Sequence, residues 1–153
     1  MLDILKATIP DINEIVELKI KMFDESGHLS LLADDASSEI TRKYMALYEN
    51  GVAQHFVIKV NSQIIAMSGG FIKDDIPYCF MRTPIYGFIG DVYTVPNFRN
   101  KGYATALTQS VMEWLKSKEV KQIRLLAADN AKGLYRKLGF TSTDEMMCIL
   151  EGS

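Results

Sequence analysis

The sequence predicts an α+β fold in three layers, a mixed and mostly antiparallel central sheet flanked by helices. Three observations predict it. The chain has 153 residues, 48% hydrophobic and 24% charged, the size and composition of one globular domain spanning residues 1–153. Its apolar residues change period along the chain, from helical spacing before residue 50 to runs of β-branched and aromatic residues between 55 and 95. The resulting order, β α α β β β α β α β(β), places consecutive strands side by side and lacks the strict alternation of a doubly wound sheet.

Each element has a local reason. Ile4 to Thr8 is a short strand pattern. Pro10 then suits the first turn of a helix whose apolar face runs through Ile12, Ile15, Val16, Leu18, Lys19 and Met22, and Gly27 ends it. His28 to Ala36 reads as a loop. Ser37 or Ser38 caps a second helix through Ile40, Tyr44 and Leu47, closed by Asn50-Gly51. His55–Val60 and Ile64–Ile72 form a hairpin split by Asn61-Ser62. Lys73 to Pro84 is irregular. Tyr86–Val95 is a long strand pattern stopped by Pro96, which cannot donate to a ladder. From about Gly102 a helix carries Leu107, Val111, Trp114 and Leu115 on one face. Ile123 to Ala127 is a buried-strand run. Asp129 or Asn130 caps a short helix ending at Leu138 with Gly139 just past it, and Thr141 onward supplies one or two last strands.

Composition excludes several classes. A net charge of −2 and a pI near 5.7 provide no global pull toward nucleic acid or an anionic membrane. The longest uncharged stretch, Val60 to Ile72, is 13 residues, short of the ~20 a membrane span needs. The N-terminus lacks the basic-then-apolar order of a targeting peptide. Two cysteines, Cys79 and Cys148, make no disulfide framework and suit a reducing cytoplasm. The histidines, His28 and His55, lie far apart with no cysteine beside them, so no metal set is expected. Dinucleotide, P-loop, zincin and nucleophile-elbow motifs are absent from the sequence.

The informative segment is DVYTVPNFRNKGYATALTQSVMEWL, Asp91 to Leu115. A strand, a short basic loop and a helix follow one another. A helix N-terminus presents unpaired N–H groups and the positive end of its dipole, and so holds phosphate. Gly102 allows close approach to the backbone, Ala104 keeps its position small, Thr105 adds a hydroxyl, and Arg99 and Lys101 add charge. These residues read equally as a pyrophosphate cradle without a Walker lysine or as a plain strand–helix connection.

Arg99-Asn100-Lys101-Gly102-Tyr103-Ala104 resembles the R/Q-x-x-G-x-G/A signature of the GNAT superfamily of N-acetyltransferases. A second block about thirty residues on, Leu134-Tyr135-Arg136-Lys137-Leu138-Gly139-Phe140, is similar to the family's L-Y-x-k-x-G-F. The element order matches too, so the resemblance covers nearly the whole chain.

The resemblance implies a protein that binds acetyl-CoA and moves its acetyl group to an amine. It implies that the strand bearing Val92, Tyr93 and Thr94 pairs with the pantetheine arm and polarises the thioester carbonyl. It implies that the amides of Arg99, Asn100, Lys101, Gly102, Tyr103, Ala104 and Thr105 hold the pyrophosphate, with Arg99, Lys101 and Lys132 toward the 3′-phosphate or adenine. Tyr135 stands where the family places its general acid, which protonates the departing sulfur; its ring also suits packing against Phe140 in a helix cap. The family's Asn seven residues before that Tyr is Ala128 here, so either Asn130 supplies the amide instead or the contact is missing. Asp91 is the acid of this strand, as general base or as an attractor of a cationic amine. On the acceptor side Glu25 is the candidate contact and His28 a second base, with Asp75, Tyr78 and Arg82 in the irregular stretch. The implied reaction is direct transfer in a ternary complex to a small-molecule or peptide amine, since neither motif holds a cysteine to carry the acyl group. A homodimer fits the family. The alternative is a non-catalytic acyl-CoA-binding module used as a sensor or docking surface.

Overall fold

The structure is a computed structural model that describes residues 2–77 and 84–150. Five strands form one sheet in the order β1-β2-β3-β4-β5. They are β1 (Leu5–Lys6), β2 (Ala53–Val60), β3 (Gln63–Asp74), β4 (Ile85–Thr94) and β5 (Ile123–Leu125). The first four run antiparallel to their neighbours, and β5 joins β4 in parallel. The helices are α1 (Ile12–Glu25), α2 (Ala36–Glu49), α3 (Tyr103–Ser117) and α4 (Lys132–Lys137).

The sheet separates two apolar clusters, which makes the three layers. On one face Ile12, Ile15, Val16 and Leu18 of α1 and Tyr44 of α2 pack against Val57, Met67 and Phe71. On the other, Leu107, Val111 and Leu115 of α3 pack against Ile58, Ile65 and Ile89. β3 is buried nearly end to end because it is central and covered on both faces.

The hairpin turn is at Asn61 and Ser62, both left-handed at φ 51° and 66°, the twist that suits a two-residue connection. The first helix is preceded by a 3-10 turn over Ile9–Asp11, with Pro10 inside it. Another 3-10 turn, Leu29–Leu31, lies in the expected loop. α2 begins at Ala36 after Asp35, so neither Ser37 nor Ser38 is its cap. β3 runs on to Asp74, past the expected break at Lys73, because β4 pairs with it that far. Tyr78, Cys79 and Arg82 lie outside the described residues. The final strands are not formed: Thr141–Leu150 is exposed, without regular secondary structure and outside the sheet.

Candidate active site

The site begins where β4 and β5 part. They pair at Gly87–Ile123, Phe88–Arg124 and Ile89–Leu125, and no further. Immediately beyond, Asp91 and Val92 together oppose the single residue Ser68, since Gly90 pairs with Gly69 and Tyr93 with Met67. This is a bulge, and Asp91 takes a left-handed φ of 56° in it. Val95 N–H donates across to Ile65 O. Strand alternation therefore turns the peptide groups of Val92 and Thr94 away from β3, toward the side that β5 has vacated. Thr94 O there accepts Arg99 Nε–H at 2.8 Å.

Side chains hold the bulge. Asp91 is buried and accepts from three donors: Lys19 Nζ at 2.5 Å, Tyr44 OH at 2.5 Å and His55 Nε2 at 2.8 Å. Burial alone raises its pKa, but the bonds and charges of His55 and Lys19 outweigh that and hold the carboxyl well below the usual range. The Tyr44 phenol is pushed up by its own burial and then by the adjacent carboxylate. Tyr48 OH accepts His55 N–H at 2.7 Å and meets its Nδ1 at 2.9 Å. A Cβ at Gly69 would stand 2.7 Å from His55 Nε2, so glycine lets the imidazole reach Asp91. A general base needs an accessible lone pair and a pKa near the working pH. The Asp91 carboxylate instead meets three donors and no solvent.

Glu25 ends α1 and accepts Tyr93 OH at 2.5 Å and Arg99 Nη2 at 2.7 Å. Those two bonds lower its pKa, while the Tyr93 phenol is pushed up to about 12, by burial and then by Glu25. The guanidinium lies over the Tyr93 ring, 5.5 Å from its centre. Both charges are well exposed, so the pair adds little stability; it fixes the end of α1 to the loop after β4. The two side chains expected to meet acceptor and phosphate thus meet each other. His28 is exposed, with Nδ1 3.1 Å from Ser26 Oγ.

The loop continues through a 3-10 turn, Pro96–Phe98. Arg99 N–H donates to Pro96 O at 3.3 Å, so this amide leaves the expected cradle. Asn100 and Gly102 are both left-handed, at φ 63° and 82°, and flank the exposed Lys101. Among the loop–helix contacts the first α3 bond is Ala106 N–H to Gly102 O. The N–H groups of Tyr103, Ala104 and Thr105 therefore have no intrahelical acceptor. A Cβ at Gly102 would meet nothing within 4 Å. Open space, converging amides and the helix dipole fit a diphosphate.

α4 carries Tyr135. Phe140 N–H donates to Tyr135 O at 3.0 Å and Gly139 N–H to Arg136 O at 3.0 Å, the two bonds of a Schellman cap. The Tyr135 and Phe140 rings meet edge to face at 5.9 Å. The ring is 6% exposed, burial raises the phenol pKa, and among the described residues the hydroxyl makes no hydrogen bond. Packing and a free hydroxyl coexist, as the two readings of this residue allow. Asn130 lies exposed in the 3-10 turn Asp129–Ala131. Lys132 Nζ is bonded to Asp129 Oδ1 at 3.0 Å.

Lys19, Tyr44, Tyr48 and His55 escaped sequence reasoning as site residues. The available signal was Lys19 itself, a cation on an otherwise apolar helix face.

The chain matches the model of the acetyltransferase (GNAT) family over residues 15–140 and belongs to that family. Among solved structures, it is similar to a predicted acetyltransferase with acetyl-CoA from Clostridium acetobutylicum. The two share 27% identity, with 97% of this chain and 96% of that one covered and a TM-score of 0.86. It shares its fold with a GCN5-related N-acetyltransferase from Ralstonia eutropha: 19% identity, 99% and 100% covered, TM-score 0.87. It also shares it with glucosamine-6-phosphate N-acetyltransferase from Arabidopsis thaliana: 22% identity, 97% of each chain, TM-score 0.71. A search of curated proteins found no match. Acetyl-CoA is the acyl donor of this family, and the protein is an acyltransferase by membership. Among the described residues no helix is long and apolar enough to cross a membrane.

Proposed function

We propose that the protein is an N-acetyltransferase that moves the acetyl group of acetyl-CoA to a primary amine of a small molecule or peptide, by direct attack in a ternary complex. One observation carries this reading. β4 leaves β5 after Ile89 and turns the peptide groups of Val92 and Thr94 into the gap, one short loop before a helix N-terminus with open amides.

Acetyl-CoA supplies an activated acyl thioester. Val92 and Thr94 offer backbone groups to an extended amide chain, as a strand edge accepts a peptide. The Val92 N–H stabilises charge developing on the carbonyl oxygen. Tyr103, Ala104 and Thr105 N–H groups and Lys101 bind diphosphate, with Asn100 shaping the loop. Arg99 and Lys132 reach the remaining phosphate only by exchanging their present carboxylate partners, Glu25 and Asp129. Asn130 offers an amide beside α4. The Tyr135 hydroxyl donates its proton to the departing sulfur. The raised pKa keeps it protonated at neutral pH, the state a general acid requires.

The base is water: Asp91 and Glu25 already hold their donors, so the attacking amine loses its proton to solvent. Asp91 is a positioning residue that fixes the bulge. Glu25 reaches the acceptor as part of the Glu25–Tyr93–Arg99 group. A second reading, an acyl-CoA-binding module without turnover, is favoured by the same fact that both carboxylates are already bonded. The protein is expected in the cytoplasm.

The test is a panel of primary amines with acetyl-CoA, read by release of free CoA thiol. Thiol release that depends on protein and amine supports the enzyme; tight acetyl-CoA binding with no amine-dependent release across the panel supports the module.

A further inference from the structure

The backbone group on which acetyl transfer depends is aimed by a residue in an unfavourable conformation. Asp91 holds φ at 56° in the bulge, a region that residues with a β-carbon enter rarely. The Val92 N–H belongs to the planar peptide that follows Asp91, so the Asp91 dihedrals set its direction. A conformation of this kind persists only where the surroundings over-determine it. Of the three donors to the Asp91 carboxylate, Lys19 and Tyr44 come from helices, and His55 alone comes from the sheet. The imidazole therefore ties the bulge to the register of the strands themselves.

His55 is itself held on every side. His55 pairs with Gly69, and Gly69 with Gly90, so one row crosses β2, β3 and β4. The fully buried ring lies over the middle of that row, where a β-carbon on residue 69 would stand 2.7 Å from Nε2 and 2.8 Å from Cδ2. A glycine inside a central strand weakens it and marks a close approach; here the approach is that of the imidazole. Three rings box it in: Tyr48 stacked at 5.9 Å, Phe71 edge-on at 5.5 Å and Tyr44 tilted at 5.3 Å. The Tyr48 hydroxyl accepts the His55 N–H at 2.7 Å and meets Nδ1 at 2.9 Å, which locks the ring to its own backbone. Both ring nitrogens thus have a partner, and a fully satisfied buried network of this kind is rigid.

We infer that His55 and Tyr48 are positioning residues of the reaction: acting through the Asp91 carboxylate, they hold the bulge so that the Val92 N–H points at the carbonyl oxygen of the thioester, a role that rests on the acetyl-transfer reading above. β3 lies between His55 and β4, and Tyr48 stands behind His55 on α2. Their effect on the rate passes through Asp91 and the peptide after it.

The test is Tyr48→Phe, which keeps the stacked ring and removes only the hydroxyl. In steady-state kinetics kcat should fall about tenfold, short of the ~10²-fold or more that outright loss of a stabilising N–H costs. KM for acetyl-CoA and for the amine should stay nearly unchanged, and the Val92 amide resonance should move in the NMR spectrum of the variant. A lower melting temperature with kcat unchanged is what a merely structural role gives, and it overturns the assignment; so does a loss confined to KM. Gly69→Ala reaches the same imidazole from the other side by placing a methyl group against it. The double variant should lose no more than the larger of the two single losses, because both act through His55; losses that multiply overturn the assignment. A parent chain that releases no thiol with any amine defeats the acetyl-transfer reading instead. The Val92 resonance then decides: moved in both single variants it upholds the positioning, and unmoved it overturns it.

Discussion

The Tyr135 phenol has its ring committed to packing and its hydroxyl to nothing else among the described residues. Its ring is held by Phe140 and its carbonyl by the cap, which together fix where the hydroxyl points. Tyr135→Phe keeps the ring and removes only the proton. In the proposed reaction it should lower kcat by about 10²-fold or more, the usual contribution of a general acid, with acetyl-CoA affinity nearly unchanged. Steady-state kinetics alongside calorimetry checks both halves; lost affinity with intact turnover would reassign the residue. The pH dependence follows from the direction of its shift. Burial raises the phenol above its ordinary value of about 10, so the acid stays protonated and kcat should hold through neutral pH, declining only above about pH 10. With Asp91 and Glu25 both lowered from their ordinary values, no acid limb at pH 5–7 should trace to either.

At the scale of elements, the β4–loop–α3 unit was legible because its requirements are local. A strand stop at Pro96, a left-handed position at Gly102 and an amphipathic helix all lie within one stretch of sequence. Gly102→Glu places a side chain into the open space and forces a β-carbon onto a backbone at φ 82°. It should abolish acetyl-CoA binding by calorimetry while the thermal midpoint moves by only a few degrees; unchanged binding would mean the cradle lies elsewhere. The C-terminal strands that the sequence predicts are not formed. The apolar pattern from Met146 to Leu150 is that of a strand, but a strand exists only where an edge accepts it, and pattern alone does not say which edge. The Arg99 amide shows a smaller version: the motif does not reveal that Pro96 O takes its proton.

The Asp91 cluster belongs to the whole molecule, because Lys19, Tyr44, His55 and Asp91 come from α1, α2, β2 and β4. Asp91 is legible in the sequence but its partners are not, since they lie 36 to 72 residues away and only the sheet register and helix packing bring them together. Asp91→Asn leaves the Lys19 ammonium without its counter-charge beside the core, and breaking such a pair costs about 3–5 kcal/mol. Chemical denaturation should show that loss. The carboxyl is depressed in the folded state, so its stabilisation is full above the ordinary value of about 4 and is lost as pH falls below it. The parent protein should therefore lose stability steeply below pH 4, and the Asn variant should lose part of that dependence. The most direct measurement of the central claim is calorimetric titration of acetyl-CoA into the full chain, repeated in the presence of excess ATP. Micromolar binding that ATP does not weaken is the predicted result; no binding, or binding that ATP displaces, would contradict a site built from the β4–β5 gap and the α3 N-terminus together.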